Sequence, residues 1–202
     1  VTKEIFIGTS GTNLNTRHLI TTASMGSTLD APSQGRFSLG LAKGMKYRWQ
    51  AMNVPFPTYE REAEFIAVMR RLWQGEVIQN YSGSLGQFKQ LSLAPYINAD
   101  IPVLYVGFGP KSLKNAGRIY DGAHLHTFMS DQALSDAVAL YRQGEAAADK
   151  APGSGKLWSV FATACDVSDE KYLKFIVARL ATYLQIPGYG ELLAQVNNWD
   201  IE

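Results

Sequence analysis

The stretch "IPVLYVGFGPK", Ile101 to Lys111, constrains the fold more than any other. From Ile101 to Gly107 it carries no charge, and only Pro102 interrupts its regular character. Such a run suits a parallel strand covered on both faces. Parallel strands are joined by long crossovers, usually helices, so one such strand implies a repeating strand–helix architecture.

The rest of the chain supplies that repeat. "EIFIG", Glu4 to Gly8, reads as a first strand, followed by the polar "TSGTNLNTR" and a helix from about Arg17 to Leu29. Arg36 to Leu41 reads as a second strand running into "GLAKG". A loop with Pro55 and Pro57 leads to a helix over Tyr59 to Gln74. Thr58 suits its N-cap, Glu60 and Glu62 suit the positive end of its dipole, and Gly75 stops it. Phe65, Met69, Leu72 and Trp73 give this helix one apolar face. Residues 76–100 break the rhythm, and "VIQNYSGSLGQFKQLSL" reads as a hairpin-like insertion. A helix over Ser112 to Tyr120 follows the third strand, and "AHLHTF" is a fourth. An alanine-rich helix spans Asp131 to Ala148, "APGSGK" is a surface linker, and "LWSVFATACDV" is a fifth strand. Ser168 suits the cap of a helix from Asp169 to about Leu184, and "IPGYG" separates it from a short last one.

Strands separated by helices in this way mean an α/β protein with a parallel sheet. An open doubly wound sheet is complete at five strands, whereas a TIM barrel needs eight and typically about 250 residues. Periodicity alone does not choose between them.

At 202 residues the chain is long enough for one domain with a sizeable core. A net charge of +1 gives no electrostatic case for nucleic acid or an acidic membrane. No apolar run is long enough to span a bilayer, and "VTKEIFIGTS" reads as a strand rather than a signal peptide. The single Cys165 has no internal disulfide partner, which fits a reducing cytoplasm. Val1 is not an initiator Met and the chain stops at "NNWDIE", so an excerpt of a longer protein is expected, with a processed complete domain as the alternative.

The Gly-rich turn at Gly107-Phe108-Gly109-Pro110-Lys111 is either a phosphate cradle or a tight corner. Glycine lets a ligand approach the backbone, and the free N–H groups of the following helix attract an anion. The dinucleotide-binding pattern fails for want of a third glycine and of an acidic residue about 20 positions on. The P-loop pattern fails as well. Three other strand ends are also polar or glycine-rich: Gly8 to Asn13, Gly40 to Gly44, and His126-Thr127. Parallel strands bring such ends to one face, where α/β proteins hold ligands.

His18, His124 and His126 lack metal-ligand spacing with carboxylates. They read as a helix-start residue and two core or rim histidines, although His124 and His126 alternate on one strand as a ligand pair would. Cys165 reads as a buried small residue, the four tryptophans as packing residues, and Arg70-Arg71 as solvated charges.

"GRFSLGLAKGM", "EFIAVMRRLWQGEVI" and "IPVLYVGFGPKSLKNAGRIYDGAHLH", in that order, resemble the luciferase-like monooxygenase superfamily. The similarity is greatest to its branch of coenzyme F420-dependent oxidoreductases from actinobacteria. "IGTSGTNLNTRHL" and "ATYLQIPGYGELLAQVNNWD" fit the same pattern, so the resemblance covers nearly the whole chain. It implies a single domain over 1–202 with an α/β TIM (β/α)8 barrel fold. The strands here would be the third to the seventh, and the first two and the eighth would be lacking.

The resemblance also implies a cofactor site at the strand carboxyl ends. Ser10-Gly11 falls where relatives carry a non-prolyl cis peptide behind the deazaflavin ring, with Thr12 and Asn13 flanking it. Lys43 and Gly44 fall at a cofactor-phosphate position. Gly107, Phe108, Gly109, Pro110 and Lys111 would form the phosphate turn, with Gly109, Lys111 and Ser112 donating. Thr127 matches a further contact, and His126 is its neighbour. Met45 stands where a sugar-phosphate dehydrogenase branch has a catalytic Glu, which argues against that substrate. The family's usual acid and base lie on the first two strands, so no catalytic residue is assigned.

The expected function is hydride transfer between coenzyme F420 and a small organic substrate. The alternatives are an FMN-dependent monooxygenase, a non-catalytic cofactor-binding or structural relative, and an open Rossmann-like domain. A cytoplasmic homodimer without nucleic-acid, membrane or metal partners completes the expectation.

Overall fold

A computed structural model describes residues 3–94 and 97–200. Residues 95–96 of the expected insertion, and both ends of the expected 1–202 domain, lie outside the described residues. The chain forms two compact units. One runs up to Val106 and includes Ile119–Ala123; the other comprises Gly107–Arg118 and the chain from His124 onward.

In the first unit the elements are β1 (Ile7–Gly8), β2 (Thr12–Asn13), α1 (Leu19–Ser33), β3 (Phe37–Ala42), α2 (Lys46–Ala51), α3 (Tyr59–Trp73), the hairpin strands β4 (Ile78–Gly83) and β5 (Gly86–Leu91), and β6 (Val103–Val106). β1 and β2 both pair with β3 in parallel, and β3 pairs with β6, placing Leu39 opposite Val103 and Leu41 opposite Tyr105. Phe37, Leu39, Leu41, Val103, Leu104 and Tyr105 are all buried. The apolar run at Ile101 is therefore the covered parallel strand its composition predicts. The first strand is shorter than expected, because Ile5 and Phe6 are exposed and only Ile7–Gly8 enters the ladder.

Helix α3 starts where Thr58 Oγ1 accepts the Arg61 N–H at 3.2 Å, as its sequence predicts. Its apolar face packs on α1, where Ala23 and Gly26 leave room for an indole. Trp73 Nε1 donates to Ala23 O at 2.9 Å, and a Cβ on Gly26 would lie 2.9 Å from the Trp73 ring. The 76–100 segment forms the antiparallel β4–β5 hairpin. Helix α2 was not anticipated; it is short and amphipathic around one buried tryptophan, Trp49.

The second unit contains α4 (Pro110–Ile119, as far as Arg118), the end of β7 (Gly122–His124), α5 (Asp131–Ala146), β8 (Lys156–Trp158), α6 (Asp169–Tyr172), a π-helical turn at Leu173–Val177, α7 (Ala178–Leu184) and α8 (Tyr189–Asn197). Gly117 and Gly144 let α4 and α5 touch backbone to backbone, since a Cβ on either would lie 2.0 Å from a carbonyl oxygen of the other helix. Asn197 is buried and ties three segments, accepting from Ser130 N at 2.7 Å and donating to Phe128 O at 3.0 Å and Leu193 O at 2.9 Å. Ser130 caps α5 by accepting from Ala133 N. Ser168 occupies the N-cap position of α6 without a side-chain bond.

Two expectations fail in this unit. The fifth strand is Lys156–Trp158 rather than the whole of "LWSVFATACDV". β8 is the last strand in the sheet order, and beyond Trp158 the chain leaves the ladder with Val160 and Phe161 exposed. Cys165 is exposed in that irregular stretch instead of buried.

At Gly40, on the central strand β3, a Cβ would lie 2.0 Å from Thr9 O. Gly40→Ala should cost about 2 kcal/mol or more by overpacking. Urea unfolding checks this, with a midpoint well below that of the parent chain as the expected outcome.

Candidate functional site

In the first unit, the carboxyl ends of β1, β2 and β3 are held by reciprocal hydrogen bonds. Thr9 Oγ1 donates to Gly40 O at 3.1 Å and accepts from Gly40 N at 3.0 Å. The next peptide bond but one, Ser10–Gly11, is cis, the geometry the resemblance implies there. A Cβ on Gly11 would lie 2.9 Å from Ala42 Cβ and 3.1 Å from Val106 Cβ, so the bulge is seated between two strands. Thr12 and Asn13 pair with Leu41 and Ala42. Asn13 Nδ2 donates to Ala42 O at 3.1 Å, and its Oδ1 accepts from Asn15 N at 2.9 Å. Gly44 has a positive φ of 73° and lies against Trp49, whose Nε1 donates to Lys43 O at 2.7 Å.

Lys43 is buried, and its ammonium lies 3.6 Å from the centre of the Tyr59 ring and 3.9 Å from Glu62 Oε2. Glu62 is buried as well and accepts from Tyr120 Oη at 2.5 Å. Burial pushes the Glu62 carboxyl up and the Lys43 ammonium down, and it holds the Tyr120 phenol well above its ordinary value. The charge that the resemblance assigns to a cofactor phosphate is thus turned towards Glu62 and Tyr59. Sequence reasoning missed Glu62 as its partner. The signal was present: Glu62 stands three and seven residues before Phe65 and Met69, on the apolar face of α3.

In the second unit, Gly107 N donates to His124 O at 3.2 Å. Helix α4 begins with Leu113 N donating to Gly109 O at 2.8 Å. Pro110 is its first residue, where a missing N–H costs nothing. Phe108 is buried, whereas Lys111 is exposed. A Cβ on Gly109 would meet only Leu192 Cδ2 at 3.6 Å and Ser112 Oγ at 3.9 Å, both ordinary contacts. The protein's own packing therefore does not require glycine here.

His126 lies just past β7 among aromatic rings. The ring centres of Phe108, Tyr183 and Tyr189 lie 4.8, 5.0 and 5.6 Å from its own. Its Nδ1 accepts from Phe128 N at 3.2 Å, which leaves the ring hydrogen on Nε2. Among the described residues, Nε2 is buried with no hydrogen-bond partner. Burial, reinforced by the charge of Arg179, lowers the His126 pKa to about 4. The imidazole is therefore a neutral donor at physiological pH. His124 faces Trp158 instead, so the two histidines do not form a pair. Thr127 is half-buried beside His126. Tyr183 and Tyr189, which sequence reasoning did not single out, bracket the "IPG" helix break. Among the described residues, no group of three His, Cys, Asp or Glu side chains is placed to hold a metal.

Each unit thus carries glycine turns and polar groups at the carboxyl ends of parallel strands, the place where barrel enzymes of the (β/α)8 class bind ligands. The fold is that of the luciferase-like TIM barrels. The coenzyme F420-dependent tetrahydromethanopterin reductase of Methanopyrus kandleri superposes with a TM-score of 0.78 at 22% identity, over 99% of this chain and 61% of that one. The FMN complex of a type II Baeyer–Villiger monooxygenase from Pseudomonas putida superposes with a TM-score of 0.69 at 16% identity, over 96% and 60% of the two chains. The chain belongs to the luciferase-like monooxygenase family, whose sequence model matches residues 1–198. It is similar to the F420-dependent hydroxymycolic acid dehydrogenase of Mycobacterium tuberculosis, at 30% identity over 178 residues, 84% of this chain and 47% of the relative. The chain spans about half the length of the curated relatives it matches.

The low pKa of His126 sets a pH dependence. In the unfolded chain an imidazole protonates near 6.5, in the folded unit near 4. Protonation therefore favours the unfolded chain, and this contribution to stability is complete above about pH 6.5 and lost as pH falls towards 4. An NMR titration of the His126 ring should show no inflection above about pH 5, whereas a midpoint near 6.5 would contradict the burial of the ring.

Proposed function

We propose that the chain binds coenzyme F420 and belongs to an oxidoreductase that moves a hydride between this cofactor and a small organic substrate. The observation that carries the reading is the buried, unpartnered Nε2–H of His126, in the same unit as the open start of α4 at Gly109. A buried donor without a partner is costly in a folded protein and is explained when a ligand supplies the acceptor. The first turn of a helix offers backbone N–H groups and positive dipole character to a phosphate.

In the second unit, Gly107, Phe108, Gly109, Pro110, Lys111 and Ser112 form the phosphate turn, with His126 and Thr127 as its neighbours. Lys111 adds a charge, and Phe108 with Tyr183 and Tyr189 keeps water from the imidazole. In the first unit, the resemblance assigns Ser10, Gly11, Thr12 and Asn13 to the ring. Lys43 acts there through its carbonyl and through Glu62, which fix the turn at Gly44. The bound deazaflavin supplies the hydride chemistry, and the protein supplies binding, orientation and exclusion of water. The family relationship and the F420-dependent relative support this cofactor. FMN is the second reading, favoured by the FMN-containing neighbour of the same fold. A cytoplasmic homodimer of actinobacterial type fits the resemblance. Among the described residues no helix is long and apolar enough to cross a membrane.

Equilibrium binding followed by deazaflavin fluorescence tests the reading. F420 should bind at least tenfold more tightly than FMN. Gly109→Val should weaken F420 binding at least tenfold. Gly109→Ala should leave the unfolding midpoint within about 3 °C of the parent, because its Cβ meets only ordinary contacts. Tight FMN binding without F420 affinity would overturn the cofactor, and unchanged affinity in Gly109→Val would make the turn a structural corner.

A further inference from the structure

The first unit holds a cavity of about 260 Å³ that the cofactor reading does not use. It opens beside the segment that continues from β2 into α1. Leu14, Leu19 and Phe65, all buried, give it an apolar side, and Phe88 of the hairpin gives it an aromatic wall. His18, the N-cap of α1, stands edge-on to Phe88 with ring centres 5.4 Å apart. Arg17 and Arg61 also line the same cavity.

The two arginines differ in what balances them. Arg61 donates to Ser84 O, and its charge is felt by Glu64, which also accepts from Tyr81 Oη and Ser84 N. Arg17 is exposed and donates to Met25 Sδ at 3.1 Å, a weak acceptor. Among the described residues, no carboxylate forms an ion pair with Arg17.

We propose that this cavity binds an amphipathic carboxylate, an organic acid of about benzoate size, with Arg17 pairing its carboxylate and the Leu14–Leu19–Phe65 surface taking its apolar body. A guanidinium matches a carboxylate in two parallel hydrogen bonds, which a thioether sulfur does not compete with. A compact inorganic anion would satisfy the charge and leave the apolar side unfilled. A neutral apolar molecule would do the reverse. Only an acid with an apolar body uses both sides, the usual composition of a small-molecule site. The proposal rests on first-unit residues alone, so it stands or falls separately from cofactor binding.

Isothermal titration calorimetry of the purified chain, in cofactor-free buffer, is the test. Sodium benzoate should bind saturably, with a Kd of about 1 mM or tighter. Benzyl alcohol, of similar shape without the charge, should bind at least tenfold more weakly, and inorganic phosphate likewise. Arg17→Gln should weaken benzoate binding at least tenfold with an unchanged thermal unfolding midpoint, because Arg17 is exposed and structurally unburdened. No saturable benzoate binding, equal affinity in Arg17→Gln, or phosphate binding as tight as benzoate would each overturn the proposal.

Discussion

The contact between Thr9 and Gly40 is the constraint on which the first unit depends. The Thr9 hydroxyl both donates to and accepts from the Gly40 backbone, and the Thr9 carbonyl occupies the space a Cβ would need. A threonine hydroxyl can do both at once, and only glycine admits the approach. The clasp carries the chain from β1 to β2 alongside β3. It thereby sets Ser10–Gly11 against Ala42 and Val106, and Asn13 against Gly44. Every residue the first unit offers to a ligand is placed relative to this one point.

The second unit reaches a comparable result by other means. Gly117 and Gly144 bring α4 and α5 into backbone contact, which fixes the axis of α4 and so the direction of its first turn. Asn197 ties Phe128 and Ser130 to α8, and Phe128 N in turn sets the tautomer of His126. The aromatic rings around His126 remove water from it. A neutral imidazole with its one hydrogen buried and unpaired is the outcome. Such a group is destabilising unless something pairs with it, and this makes it the best evidence for a ligand in that unit.

Much of this was legible in the sequence. Thr58 stands where a cap belongs and accepts the expected N–H, whereas Ser168 takes its N-cap position without a side-chain bond. The apolar run at Ile101 is a covered parallel strand, and the glycines of 83–86 turn a hairpin. What was not legible depends on partners distant along the chain. "LWSVFATACDV" has the composition of a strand, but β8 is the last strand in the sheet order among the described residues, and only Leu157 and Trp158 of this stretch belong to it. Lys43 reads as a rim cation until Glu62 and Tyr59 appear beside it. Glu62 betrays itself by lying on an apolar helix face, but its partner does not follow from that. Tyr183 and Tyr189 carry no local sign that they enclose an imidazole 57 and 63 residues earlier.

The central claim is that the start of α4 and the His126 imidazole receive one anionic cofactor. NMR of the isotopically labelled chain, with F420 added at neutral pH, tests it most directly. The account predicts that the amide signals of Gly109 and Lys111 and the Nε2–H signal of His126 shift together, with a common saturation point. Shifts that leave His126 and Gly109 unmoved while F420 saturates elsewhere would contradict it.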